Sequence, residues 1–374
     1  MKKTVSGLIL PIVLLMGLFF PVTAGDFLAV TGPCYLRFPE DHGPHPGFRT
    51  EWWYYTGNVT DEDGRDCGFQ LTFFRHSLTP LQDRKNWPDP ASTWRTDTLY
   101  LAHAALTDIN GKRHLQAEKV SRPVLSMAGA ERSGLSVSLQ VHDWQATLQP
   151  EGHRLRADAG GFSLALDLLP EKPPVLHGEA GYSRKGGAPE RASCYYSFTR
   201  MRVEGALSVD GKRHSVKGLA WMDHEFSTAP LEPGVTGWDW FSLQLREHSE
   251  VMIYLLREKA GGVHGASGGT FVSAEGKIRH LARDDVQVEP VDFWNSPRSG
   301  ARYPVKWLVK VWPLNLEVTV AARFLDQEMR TQASTGVDYW EGAVSVRGTR
   351  AGRPVEGAGY VELTGYAKPF DAPM

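Results

Sequence analysis

Three short strings hold the side chains best suited to moving a proton. They are Trp221-Met222-Asp223-His224-Glu225-Phe226, Gly237-Trp238-Asp239-Trp240-Phe241, and Asp41-His42-Gly43-Pro44-His45 with Arg49-Thr50-Glu51-Trp52-Trp53-Tyr54 after it. A carboxyl or imidazole serves as acid or base when burial brings its pKa towards neutrality. In an extended chain alternate side chains point to opposite faces, so Asp223 and Glu225 share one face and His224 takes the other. Asp239 likewise lies opposite Trp238 and Trp240. Asp223, His224, Glu225 and Asp239 are therefore the candidate acids and bases. The competing reading is a satisfied core histidine and acids paired with arginines, since structural networks perturb charges as well. Trp52, Trp53, Tyr54, Trp221, Trp238, Trp240 and Tyr254 are the candidate ligand contacts. Trp52 and Trp53 occupy opposite faces of one strand, and parity leaves open which of them lines a cavity.

His42 and His45 lie three apart beside Asp41 in a Gly/Pro-rich loop. They lack the helical His-Glu-x-x-His spacing of zinc proteases, and no metal is expected there. Arg49 and Glu51 read as a buried pair closing a barrel end. No G-x-S-x-G elbow, Walker loop or dinucleotide fingerprint occurs, so neither serine-hydrolase chemistry nor a cofactor has local support.

The elements that must position these groups read as strands. The chain of 374 residues holds 38 Gly and 24 Pro together with 12 Trp, 12 Tyr and 16 Phe, turn formers and strand-favouring aromatics at once. From Cys67 to Arg75, Phe69, Leu71 and Phe73 alternate with Gln70 and Thr72, the period of a half-buried strand. Asp63-Gly64, Asn110-Gly111 and Asp210-Gly211 each separate two strand-like runs and suit tight hairpin turns. Further pairs are expected between 238–245 and 251–257, and between 339–347 and 355–365. Many short strands joined by close turns predict antiparallel sheets or barrels, whose closure removes exposed edges. Pro230-Leu231-Glu232-Pro233-Gly234 interrupts any ladder and reads as a linker. It divides an N-terminal domain, 25–230, from a C-terminal one of similar size, 231–374. The stretch 80–90, rich in Pro, reads as a loop over a barrel mouth, and 185–189 as an exposed turn.

The chain begins with Lys2-Lys3, an apolar run from Leu8 to Phe20, and Val22-Thr23-Ala24. That order is the n-region, h-region and cleavage site of a secretory signal peptide, with cleavage expected after Ala24 and a periplasmic or secreted destination. The run falls short of the roughly 20 residues that span a bilayer, and no later stretch replaces it. The formal charge of −2 gives a mixed, mildly acidic surface that argues against a nucleic-acid partner. Cys34, Cys67 and Cys194 allow one disulfide in an oxidising compartment, with the pairing open, or three free thiols.

Several of these strings resemble the AttH-like predicted secreted hydrolases, related to carotenoid 1,2-hydratases and to fungal lipocalin-like cyclases. They are Phe38-Pro39 with Asp41-His42-Gly43, Arg49 to Tyr54, Gly68-Phe69-Gln70 with Thr72 to Arg75, Trp221 to Glu225, Gly237 to Trp240, Tyr339-Trp340-Glu341-Gly342 and Gly359 to Tyr366. The resemblance implies an all-β chain of two lipocalin-like barrels, with a cavity between or within them. It implies water addition across a carbon–carbon double bond, where an acid protonates the alkene and aromatic faces steady the cation. It also implies an alternative, a periplasmic carrier of a hydrophobic ligand accessory to an ABC-type export system. One departure stands out: the hydratase pattern places a Tyr-x-Asp element on a later strand, and here Tyr254-Leu255-Leu256 lacks the acid. On balance the sequence favours an exported enzyme acting on an isoprenoid- or lipid-like molecule by acid–base chemistry at the domain junction.

Overall fold

The computed structural model describes residues 23–24, 27–88, 92, 94–229 and 231–369. The expected signal segment lies outside them save for its last two residues, as does Pro230 of the expected linker. Among the described residues the only helical turns are short 3-10 segments at Glu40–His42, Leu81–Asn86, Arg283–Asp285 and Trp312–Leu314. None of their helices is long and apolar enough to cross a membrane.

Tight turns set the topology. At Asp210-Gly211 both residues take positive φ, 50° and 77°, a twist that matches the strands Ala192–Val209 and Lys212–Ser227 on either side. Asp63-Gly64 joins Thr50–Asp61 to Asp66–Ser77, and Asn110-Gly111 lies between Thr98–Asp108 and Arg113–Ser121, as the sequence predicts. The last hairpin turns where expected but more tightly, at Ala351-Gly352, so that Val337–Arg350 and Arg353–Leu363 pair over almost their whole length.

These hairpins build two antiparallel sheets. The first has 13 strands and runs from Arg113–Ser121 through Asp66–Ser77, Thr50–Asp61, Lys212–Ser227 and Ala192–Val209 to Ala128–Ser133. Its two ends approach where Lys119 pairs with Asp143 and lies 4.6 Å from the Trp144 ring centre. The second has 10 strands. Its edge strands, Ile278–Leu281 and Val286–Asn295, are joined directly by the turn at Arg283–Asp285. The first sheet ends at Ser227 and the second begins at Val235.

Each sheet curls around its own core. Trp53, Tyr55, Phe69, Phe73, Trp144 and Tyr196 fill the first; Phe241, Trp307, Trp340 and Val361 fill the second. A third cluster, with Tyr54, Tyr195, Trp221, Trp240 and Tyr360, lies between the barrels. The seam carries polar ties as well: Asn58 donates to the Gly359 carbonyl at 3.0 Å, and Gln244 to the carbonyls of Thr199 and Ala220 at 2.8 and 2.9 Å. Glu250 receives Arg200 at 2.5 Å and Lys172 at 2.7 Å. A buried carboxylate is tolerated only when charge and hydrogen bonds compensate it so fully.

Candidate active site

A cavity of about 410 Å³ opens between the outer faces of the two barrels, not inside either. Strand alternation decides what faces it. On Thr50–Asp61, Trp52 and Tyr54 line it while Trp53 fills the first barrel; on Val235–Leu245, Trp238 and Trp240 line it. Tyr254 and Leu256 belong to the wall, Leu256 standing where the hydratase pattern would put an acid.

Of the four candidate acids and bases, the cavity receives two. Asp223 and Glu225 line it from Lys212–Ser227, directly opposite Tyr54 and Trp52 in the ladder. His224 and Asp239 do not line it, although both were candidates; each lies on the opposite face of its strand, where alternation puts it. His224 points into the first barrel, fully buried, its ring 4.6 Å from that of Trp53. Asp239 faces away from Trp238 and Trp240 and binds Arg257 at 2.8 Å and the Tyr366 hydroxyl at 3.0 Å. Trp221 and Trp53 are likewise absent from the wall. Trp221 lies in the layer between barrels, where its indole N–H donates to Asp223 at 2.6 Å.

His224 belongs to a cluster around Glu51, which with Arg75 also reaches the cavity wall. Glu51 receives His45 Nδ1 at 2.7 Å, His224 Nε2 at 2.8 Å and Arg75 Nε at 2.8 Å. Its partner is thus Arg75, opposite it in the ladder, and not Arg49 as expected; Arg49 lies over the Phe27 ring. Although Glu51 is buried, these donors hold its carboxyl far below the usual range. His45, between Glu51 and Asp41, is raised to about 9 despite its burial. His224 then donates from Nε2, leaving Nδ1 to accept from the Tyr196 hydroxyl at 3.1 Å. Donor atoms of His45, Glu51 and His224 lie within 4.8 Å of one another, as metal ligands would. Both ring nitrogens, however, converge on the same oxygen of Glu51, so the carboxylate is saturated by hydrogen bonds.

The carboxyls at the cavity occupy different environments. Asp223 accepts from the hydroxyls of Ser197 and Tyr195 as well as from Trp221. Burial nevertheless pushes it up to about 7, reinforced by Glu225. Glu225 accepts from Ser193 and pairs with Lys185 at 3.0 Å. Two further acids come from the second barrel. Glu341 and Glu362 face each other across adjacent strands. Burial holds Glu341 well above the carboxylate range and raises Glu362 to about 7. Tyr54 donates to Glu341 Oε1 at 2.5 Å, while Oε2 has no partner among the described residues.

Sequence reasoning missed Glu341 and Glu362 as site residues. Their signal was present: Tyr339-Trp340-Glu341 and Tyr360-Val361-Glu362 each set a tyrosine and an acid on one face of a strand. Lys185, read as part of an exposed turn, instead lies 5.1 and 4.7 Å from the ring centres of Tyr195 and Tyr254. His103 also lines the cavity, with Nδ1 2.9 Å from the Tyr339 hydroxyl and Nε2 2.9 Å from Ser334 Oγ. The Ser334 proton goes to Glu118, so this serine is not activated by the histidine as a nucleophile would be. Of the cysteines, Cys34 pairs with Cys194 and Cys67 is free.

Comparison with known proteins places this architecture. The AttH-like family model matches residues 29–366. A crystal structure of a candidate AttH from Nitrosomonas europaea is 35% identical, with a TM-score of 0.78, covering 93% of this chain and 99% of that one. Kievitone hydratase from Nectria haematococca shares the fold at 14% identity and a TM-score of 0.69, over 93% and 98% of the two chains. CghA shares it more loosely, at 15% identity and a TM-score of 0.53, over 91% and 96%. No curated protein matches the sequence significantly. The span of the family match and the identity over nearly the full length make this chain a member of the AttH-like family.

Proposed function

We propose that this chain is a hydratase-type lyase that adds water across a carbon–carbon double bond of an apolar, isoprenoid- or lipid-like molecule held between its barrels. One observation carries the reading. Asp223 is a buried carboxyl balanced near neutral pH, in a cavity walled by Trp52, Tyr54, Trp238 and Trp240. An acid does most when its pKa lies near the working pH, because it is then both protonated and willing to give the proton up. Asp223 delivers that proton to one alkene carbon, and the ring faces steady the cation at the other. Water captures the cation, forms the new C–O bond and gives up one proton. Glu341, held well above the carboxylate range by burial, serves as a hydrogen-bonding part of the wall. The cavity volume suits a ligand of moderate size. The likeness in fold to kievitone hydratase is in keeping with hydration chemistry without carrying it.

Export to the periplasm or beyond belongs to the same proposal. The basic-then-apolar N-terminus supports it, and so does the Cys34–Cys194 disulfide, a bond that persists in oxidising compartments. Leu256 favours a second reading, an exported carrier of a hydrophobic ligand, accessory to an ABC-type export system, in which the cavity binds but does not react.

Mass spectrometry of apolar molecules that copurify with the exported protein supplies the ligand. With that ligand, Asp223→Asn should keep binding and lose turnover by about 10²–10⁴-fold. A ligand left unaltered by the wild type, with an affinity that falls for Trp238→Ala and Trp240→Ala but not for Asp223→Asn, decides for the carrier.

A further inference from the structure

Asp223 is the inner end of a continuous line of hydrogen bonds. The Ser197 hydroxyl donates to Asp223 Oδ1. His177 Nε2 lies 2.7 Å from that same hydroxyl oxygen, and His177 Nδ1 lies 2.9 Å from Thr270 Oγ1. Ser197, His177 and Thr270 are all buried, and none of them lines the cavity. The short strand Val175–Leu176 pairs with Ala192–Val209 and fixes His177 at its end, its backbone N–H on the Tyr195 carbonyl at 3.0 Å. At the outer end, Thr270 stands opposite His280 on the exposed strand Ile278–Leu281. The line thus runs from the cavity acid to a buried hydroxyl, whose ladder neighbour His280 lies on an exposed strand.

Proton counting gives the line a direction. Ser197 has one hydroxyl proton and gives it to Asp223, so it must accept from His177 Nε2–H. Burial keeps His177 neutral, leaving Nδ1 to accept from Thr270. Every donor then points towards Asp223. When Asp223 carries its own proton it becomes a donor, and the order reverses: Asp223 donates to Ser197, Ser197 to His177 Nε2, and His177 Nδ1–H to Thr270. The ring changes tautomer without changing charge. Other groups face both ends. Tyr195, Trp221, Tyr54, Glu225, Glu341 and Glu362 surround Asp223, and the Tyr195 ring, Lys185 and His280 lie near His177.

We propose that Ser197 and His177 form a proton relay that reloads Asp223 from solvent through Thr270, a proposal that rests on the reading of Asp223 as the cavity acid. For each proton Asp223 passes to the ligand, one shifts along each hydrogen bond and one enters at Thr270. The attacking water releases one in turn, so the cycle is proton-neutral. Ser197 and His177 touch no ligand; they are positioning and relay groups. A purely structural histidine would satisfy the same bonds and follow the state of Asp223 as well, so the tautomer shift is required of a relay and proton exchange through Thr270 is what separates the two roles.

The test needs no substrate. In protein labelled with ¹⁵N-histidine and ¹³C-aspartate, the His177 proton should move from Nε2 to Nδ1 as Asp223 takes up its proton, and Ser197→Ala should abolish the movement while Ser197→Thr keeps it. Exchange of the His177 ring proton with deuterated solvent supplies the second readout. Thr270→Val cuts the relay and should slow exchange about tenfold, with Thr270→Ser close to wild type. A structural role predicts the opposite sign, because loosening a buried network speeds exchange by local opening. A ring that keeps one tautomer across the Asp223 titration, or exchange unchanged or faster in Thr270→Val, overturns the relay. If exchange slows while Asp223 fails to titrate near neutrality, the relay stands and the reading of Asp223 as the acid falls.

Discussion

The Tyr54 hydroxyl lies 2.5 Å from Glu341 Oε1, a hydrogen bond between the two barrels made by a tyrosine and a glutamic acid that are both buried in the cavity wall. Burial holds the Glu341 carboxyl well above its ordinary value, which favours its protonated form and a neutral bond. Tyr54→Phe leaves both carboxyl oxygens without a protein partner and should cost about 1–3 kcal/mol in denaturant unfolding. Glu341→Gln keeps an acceptor for Tyr54 and should cost less than about 1 kcal/mol. The reverse ranking would mean that Glu341 is ionised.

Asp223 makes stability depend on pH with a definite sign. Its folded pKa of about 7 lies above the unfolded value, so the folded state binds its proton more tightly. The contribution is complete below about pH 4, is lost as pH rises through 7, and is on the order of 4 kcal/mol at its limit. The full profile hides it, because His103, His114 and His153, each pushed down to about 3, lose stability in the opposite direction as pH falls from 6.5. The comparison isolates it: Asp223→Asn should gain on wild type steadily between pH 4 and 7. Parallel curves would show that Asp223 is ionised throughout.

Much of this was legible beforehand, and particular residues show where legibility stops. Alternation alone put Asp223 and Glu225 on one face and His224 on the other. The dipeptides Asp63-Gly64 and Asp210-Gly211 marked their hairpins because the requirement for positive φ is local. Glu51 shows the limit, since its partner Arg75 lies 24 residues away and becomes a neighbour only through strand register. Glu341 and Glu362 were hidden for a related reason. Their strands meet the cavity only once two separate sheets have packed, and no period within either strand announces that contact. Lys185 failed differently: the turn around it was rightly read, but a long flexible side chain reaches back under its own loop.

Cys34 and Cys194 close a covalent loop with a sequence separation of 160. Replacing both with Ser should lower stability by about 2–5 kcal/mol. Cys67 should behave as a bystander, since burial and neighbouring acids push its thiol up to about 12 and leave little thiolate at neutral pH. Native protein should therefore resist alkylation, and one thiol should label on unfolding without reductant. Three labelled thiols would remove the disulfide.

The two faces of the strands should also separate by mutation. Trp53→Ala opens a hole in the first barrel beside His224 and should cost about 3–5 kcal/mol of stability. Trp238→Ala strips cavity wall and should weaken binding of an apolar ligand about tenfold, with a smaller loss of stability. Equal effects on both measurements would mean that the cavity and the barrel core are not separate compartments.

The cavity's position between the outer faces of two barrels has an evolutionary consequence. A site inside one barrel has its diameter set by strand number and tilt, which single substitutions barely alter. Here the gap is a seam, and its width follows from how the barrels lean on each other at distant props such as Asn58 on Gly359 and Arg200 on Glu250. Changes at those props re-gauge the chamber while Asp223 and its aromatic neighbours stay as they are. If the proposed function holds, such a design lets a lineage move from one ligand shape to another without disturbing the chemistry, and selectivity should drift first in residues that never touch the ligand.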